Sequence, residues 1–207
     1  MEADAKKGTT TVAIVCSDGI VMAADRRASM GYFIAAKETQ KVFQIDDRLA
    51  MTVAGMVADA QALVRYMKAE AQLYKLQHGK NLSVGAATTL LSNILFQYKM
   101  FPFYVQLILG GFDGKPRIYN LDALGGVTEE KFISTGSGSP VVYGILEDSY
   151  KEGKPIKENL GLAVRCITAA MKRDCATGDG IDVISVSAQG FKAYTSEELK
   201  KAQGKIE

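Results

Sequence analysis

Histidine is nearly missing from this chain, with His78 the only one. A chemistry that dispenses with imidazole therefore fits the composition best. Cysteine is also scarce: Cys16, Cys166 and Cys175 make three, with no C-x-x-C pair and no metal-ligand spacing. That pattern indicates neither a disulfide framework nor a zinc site, and three thiols kept reduced in the cytoplasm are expected. No metal or cofactor is expected either. No apolar run reaches the roughly 18 residues that span a bilayer, so no membrane partner is expected. The segment Met1–Gly8 is polar and lacks the apolar centre of a secretory signal, and it reads as a short disposable leader. The net charge of +2 comes with no basic cluster interleaved with aromatics, which argues against a nucleic-acid surface. Only 4 prolines stand against 20 glycines, favouring tight turns in a sheet-rich fold over a flexible multi-domain chain. What remains, 207 residues of which 47% are hydrophobic, is enough for one domain with a sizeable core.

The most informative bond is Gly8–Thr9, in Lys7-Gly8-Thr9-Thr10-Thr11-Val12. Cutting it would give Thr9 a hydroxyl and a free amine on one residue. A hydroxyl alone is a weak nucleophile near neutral pH. An α-amine, with a reference pKa of about 7.7–8.0, is substantially neutral there and can take the hydroxyl proton directly or through a water.

Along the chain, TTVAIVC (10–16) and IVMAAD (20–25) are β-branched and apolar, joined by Ser17-Asp18-Gly19. They predict a hairpin. The pattern repeats at KVFQI (41–45) and LAMTVAG (49–55), so the first quarter is expected to be one antiparallel sheet. Residues 57–77 contain no Gly or Pro and carry Ala60, Leu63, Val64, Met67 and Ala71 at helical spacing. Ser83 can cap a second helix, and Pro102 closes that segment. Strands are expected again at 105–112, 117–121 and 131–136, helices at 140–150 and 157–173, a hairpin over 181–195, and a helical tail at 196–203. Pairs of helices alternate with groups of strands, which argues against a doubly wound parallel sheet. The expected fold is α+β: a four-layer αββα sandwich, two antiparallel sheets flanked by helix pairs. The methionines are expected mostly in the core, and the aromatics around Pro102 at an interface.

Thr9 by itself is an ordinary β-former at a strand start. Its company matters more. In a hairpin the start of the first strand lies beside the end of the second, so Asp25 is expected near Thr9. Lys41 starts another strand; alone it reads as a solvated lysine, but beside Thr9 it would relay or stabilise charge. Gly136-Ser137-Gly138-Ser139 sits at a strand-to-helix junction and can offer N–H groups and a hydroxyl. Asp174 to Gly180 joins a helix to a strand, with plain turn chemistry as the competing reading.

The stretches GTTTVAIVCSDGIVMAADRRAS (8–29), KVFQIDDRLAMTVAG (41–55), TGSGSPVVYGILED (135–148) and AAMKRDCATGDGIDVISV (169–186) strongly resemble the proteasome β-subunit family, of the archaeal type, within the N-terminal-nucleophile hydrolases. The resemblance implies a threonine endopeptidase acting on unfolded proteins. Residues 1–8 would be an autocleaved propeptide and 9–207 the working domain. Thr9 would be the nucleophile, with Asp25 and Lys41 as its acidic and basic partners. Ser137, Asp174 and Thr177 would steady the amine and the water network, Thr177 standing where the family more often has serine. Gly55 would donate its N–H to the oxyanion. Ala28, Thr39, Val53 and Val57 match the walls of the first substrate pocket. Ser29 would pair with an extended substrate through its main chain, its side chain mattering little. With no acid among these wall residues, hydrophobic P1 side chains are expected.

The resemblance further implies a seven-membered β ring of identical subunits stacked on a second such ring, capped by α-subunit rings and fed by a regulatory AAA ATPase. Three alternatives are a non-catalytic ring subunit of the same fold, the two-ring bacterial relative and a hydrolase of small amides. The Gly-Thr pair and the unbroken set of expected catalytic residues argue against the first, and the later helix pair and tail against the second. Cleavage of whole proteins would distinguish the third.

Overall fold

The computed structural model describes residues 8–203; the expected leader residues 1–7 and the last four residues, 204–207, lie outside them. Its strands are β1 (Thr10–Val15), β2 (Gly19–Asp25), β3 (Ala28–Met30), β4 (Phe33–Ala36), β5 (Val42–Asp46), β6 (Leu49–Gly55), β7 (Val105–Phe112), β8 (Pro116–Leu121), β9 (Val127–Glu130), β10 (Phe132–Gly136), β11 (Ile181–Ser187) and β12 (Gly190–Ala193). Its helices are α1 (Val57–His78), α2 (Val84–Gln97), α3 (Ser139–Ser149), α4 (Ile156–Arg173) and α5 (Ser196–Gln203).

Two five-stranded antiparallel sheets stack on each other, in the orders β10-β1-β2-β11-β12 and β5-β6-β7-β8-β9. Strand periodicity sorts their side chains into three cores. On β1 and β2, Val12, Ile14, Val21 and Ala23 face α3 and α4, whereas Ala13, Ile20, Met22 and Ala24 face the other sheet. On β6 and β7, Leu49, Met51, Leu107 and Leu109 face α1 and α2, whereas Ala50 and Ile108 face the first sheet. Strands buried on both faces explain the nearly continuous apolar runs. Each fully buried Ile, Leu or Met contributes roughly 1.5–3 kcal/mol from removal of its surface from water. The αββα order expected from the alternation of helix pairs and strand groups is therefore present.

Several local expectations need correction. The first quarter is not one sheet: β1 and β2 belong to one, β5 and β6 to the other. Residues 26–41 carry the chain from one sheet to the other and include a two-stranded hairpin, β3–β4, that the pattern did not reveal because β4 is exposed throughout. Strand β9, also exposed along its length, was missed for the same reason. Burial, not β-propensity, makes a strand visible in hydropathy. Met22, Met51 and Met67 are buried, but Met30, Met56 and Met100 are exposed. Tyr98, Phe101 and Tyr104 are exposed as well, while Phe103 packs on Tyr98. Ser83 does cap α2, its Oγ accepting the Ala86 N–H at 3.2 Å.

The crossing from sheet to sheet positions the site. Asp25 ends β2 in one sheet, Lys41 immediately precedes β5 in the other, and Thr9 immediately precedes β1. Ser137 lies just before α3, and Asp174 is the C-cap of α4. Five segments distant in sequence thus end at the same edge of the sandwich.

Candidate active site

Thr9 is buried, and its hydroxyl donates to the Gly8 carbonyl oxygen at 2.7 Å. The attacking group is thus already beside the carbonyl it would attack. Gly8 has almost no room around it. A Cβ added there would lie 1.6 Å from the Ala176 Cβ and 2.6 Å from the Ala176 Cα. Its N–H donates to Ser29 Oγ at 2.8 Å.

Two polar networks meet at Thr10. The first centres on Asp25, which is fully buried. Its Oδ1 accepts the Thr10 N–H at 2.9 Å and Lys41 Nζ at 2.8 Å; its Oδ2 accepts the Gly178 N–H at 2.9 Å and the Arg27 N–H at 3.1 Å. Four donors on one buried carboxylate hold it in a single orientation. Lys41 also donates to the Arg27 carbonyl at 2.5 Å. Burial pulls the Lys41 ammonium below the ordinary lysine value, with the Asp25 charge and hydrogen bond opposing that shift. A lysine lowered in this way can give up its proton more readily than a solvated one.

The second network runs through Asp174. Its Oδ2 accepts the Ser137 hydroxyl at 2.5 Å and the Thr177 hydroxyl at 2.6 Å. Each hydroxyl has one proton, so the directions are fixed. Thr177 accepts from the Thr10 hydroxyl at 2.7 Å, and Ser137 accepts from the Thr9 N–H at 3.4 Å. The nitrogen that cleavage would turn into the α-amine is therefore already directed at Ser137.

Gly55 ends β6 with φ +130°, a conformation that favours glycine, and a Cβ there would lie 2.2 Å from the Tyr104 carbonyl oxygen. In the ladder, Met56 N–H donates to the Tyr104 carbonyl, and Val53 N–H donates to the Lys41 carbonyl on the opposite side. Alternation therefore turns the Gly55 N–H to the Lys41 side, away from β7.

The expected pocket residues are less uniform. Ala28 and Thr39 are half-buried, and Val57 is 42% exposed as the first residue of α1. Val53 is 4% exposed and packs with the core under α1 and α2, so it presents little surface to a substrate. Cys175 is exposed beside the site, whereas burial pushes the thiols of Cys16 and Cys166 up to about 12, which makes them inert.

Sequence reasoning missed Arg27. Its guanidinium donates to the Asp179 carboxylate at 2.6 Å and to the Cys175 carbonyl at 2.8 Å, while its main chain holds Asp25 and Lys41. The guanidinium holds the Asp179 carboxyl below the usual carboxylate range. Asp-Arg-Arg has the pattern of a polar strand end; its partner Asp179 lies 152 residues further on and nothing local announces it. Thr10 was also passed over, because a threonine run looks like a β-former.

Helix pairs on both outer faces of two stacked antiparallel sheets make the sandwich of the N-terminal-nucleophile hydrolases. The family described as "Proteasome subunit" matches residues 5–186. A chain described as "Proteasome subunit beta" from Methanosarcina thermophila is 52% identical over 196 residues, covering 94% of this chain and 93% of that one. One of the same description from Methanocaldococcus vulcanius is 50% identical over 204 residues, covering 97% and 92%. A third, from Methanohalophilus mahii, is 52% identical over 197 residues, covering 94% of each. The chain belongs to the proteasome subunit family, as a β-type subunit of the archaeal kind.

Proposed function

We propose that this β-type subunit is a threonine endopeptidase whose nucleophile, Thr9, is freed when the chain cuts its own Gly8–Thr9 bond. The observation that carries the reading is the Thr9 hydroxyl at 2.7 Å from the Gly8 carbonyl oxygen, next to a buried Asp25–Lys41 pair. Residues 1–8 are then a propeptide and 9–207 the working domain.

In the first cut the Thr9 hydroxyl attacks the Gly8 carbonyl carbon. The α-amine does not yet exist, so Lys41, acting through a held water, takes the proton. The C–N bond breaks, the Thr9 nitrogen gains a proton, and Gly8 is left as an ester on Thr9 Oγ1. Water hydrolyses the ester and releases Met1–Gly8. In each later cycle the α-amine of Thr9, steadied by Ser137 and the Asp174–Thr177 network, takes the hydroxyl proton. Negative charge on the carbonyl oxygen meets the Gly55 N–H. The leaving amine departs protonated, and water activated by the same amine releases the acid.

Ala28, Thr39 and Val57, with the buried Val53 beneath them, form a first pocket without an acid, which favours hydrophobic P1 side chains, and the Ser29 main chain aligns the substrate. Apolar contacts discriminate by about 1–3 kcal/mol per methylene, so selection is loose, as suits degradation of many unfolded proteins. The subunit works in a seven-membered ring of identical copies, stacked on a second such ring, beneath α-subunit rings and a regulatory AAA ATPase. Among the described residues no helix is long and apolar enough to cross a membrane, and the cytoplasm is the proposed compartment.

The test is intact mass after assembly with the α-subunit, for the native chain and for Thr9→Ala. Loss of Met1–Gly8 from the first and its retention in the second is expected. Retention in both, in a complete particle, would leave the ring-scaffold reading instead.

A further inference from the structure

The Ser29 side chain has a partner that a purely main-chain role does not require. Ser29 is buried, although both neighbours in β3 are more open: Ala28 is half-buried and Met30 is exposed. Its Oγ accepts the Gly8 N–H at 2.8 Å. Gly8 is itself buried, and Ala176 leaves no space for it to shift toward the loop that follows α4. A buried N–H needs an acceptor, and the Ser29 hydroxyl is the one it has.

We infer that the Ser29 hydroxyl is a positioning residue for leader removal. It fixes the Gly8 residue from its nitrogen side while the Thr9 hydroxyl meets the carbonyl from the other. The two contacts, 2.8 Å and 2.7 Å, hold the carbonyl of the scissile bond in one orientation. An attack that depends on alignment to within an ångström is slowed strongly when one of two anchors is lost. The effect falls chiefly on the first cut. Once Met1–Gly8 has gone, an extended substrate is aligned by several main-chain contacts, the Ser29 main chain among them, and depends less on this hydroxyl. The inference rests on the self-cleavage reading given above.

The experiment measures two rates in Ser29→Ala, Ser29→Thr and the native chain. The first is the rate of leader loss by timed intact mass in full-length chains assembled with the α-subunit. The second is kcat/KM for an apolar-P1 peptide in particles whose β chain was made with Thr9 already exposed, by removal of a fused carrier. Loss of the anchor in Ser29→Ala is expected to slow leader loss about tenfold, the scale of one buried hydrogen bond. The same change should lower kcat/KM by a clearly smaller factor, and Ser29→Thr, which keeps the hydroxyl, should restore the first rate. Equal loss of both rates, or no change in leader loss, overturns the inference. So does failure of Ser29→Thr to restore the rate. If the native chain itself keeps Met1–Gly8, the self-cleavage reading has failed, which is distinct from a native chain that sheds its leader as fast as Ser29→Ala does.

Discussion

The two sides of the candidate site are built differently. On the chemical side, one fully buried carboxylate, Asp25, takes four hydrogen bonds, and a half-buried one, Asp174, gathers the buried Thr177 hydroxyl and the exposed Ser137 hydroxyl. On the selecting side stand Ala28, Thr39 and Val57, partly open and without charge, above a Val53 that belongs to the core. Buried polar networks have few alternative arrangements, because each unsatisfied group is costly. Apolar walls tolerate change. The contrast is what a protease needs if it must cut reliably and choose loosely. Substitutions on the first side should abolish function or stability, and those on the second should only re-weight substrates.

The largest effect is expected from Thr9→Ala, which should lower peptide hydrolysis by on the order of 10⁴-fold or more, since no other nucleophile replaces the hydroxyl. Peptide assays on the assembled particle measure this, and residual activity within tenfold of native would break the comparison at its centre. Next comes Asp25→Asn. It keeps the shape but leaves Lys41 buried without its counter-charge and places an amide against four donors. A loss of about 3–5 kcal/mol in stability is expected, read by denaturant unfolding, together with loss of leader removal. Gly8→Ala should slow leader loss about 10²-fold by displacing the scissile carbonyl. Ala176→Gly should not restore it, because the Ala176 main chain also lies within 2.7 Å of the added Cβ. Recovery in the double variant would show that only the side chain is in the way.

The pH dependence sharpens the same contrast. Lys41 acts as a base only when neutral, and burial lowers its pKa. The rate of leader removal should therefore rise with pH and level off below the pH at which an ordinary lysine titrates. A rate that is flat across that range would remove Lys41 from the first cut. The smallest effect belongs to the selecting side. Val57→Asp puts a half-exposed charge on the pocket wall, and cleavage after Lys or Arg relative to Leu should rise by about tenfold or less. An unchanged ratio would take Val57 out of the wall.

The layers of the fold were legible because the helices keep their apolar residues on a packed face and the doubly buried strands read as nearly continuous apolar runs. Strands β4 and β9 were not, because exposure erases alternation. In the site, Asp25 was foreseeable from hairpin geometry alone, as the Thr10–Asp25 bond across β1 and β2 illustrates. Lys41, Ser137 and Asp174 were visible as polar residues at element ends, but their convergence came from resemblance. The Arg27–Asp179 pair was invisible, since it depends on how two distant loops pack. The contact of the Ser29 hydroxyl with the Gly8 N–H is not legible either, because a partner 21 residues away on another segment leaves no trace in the local pattern.

The most direct measurement is the intact mass of the subunit before and after assembly with its α-subunit. A fall equal to the mass of Met1–Gly8, with Thr9 as the new amino terminus, is the expected result. A complete particle in which the mass has not changed would contradict the assignment of Thr9 as a freed nucleophile.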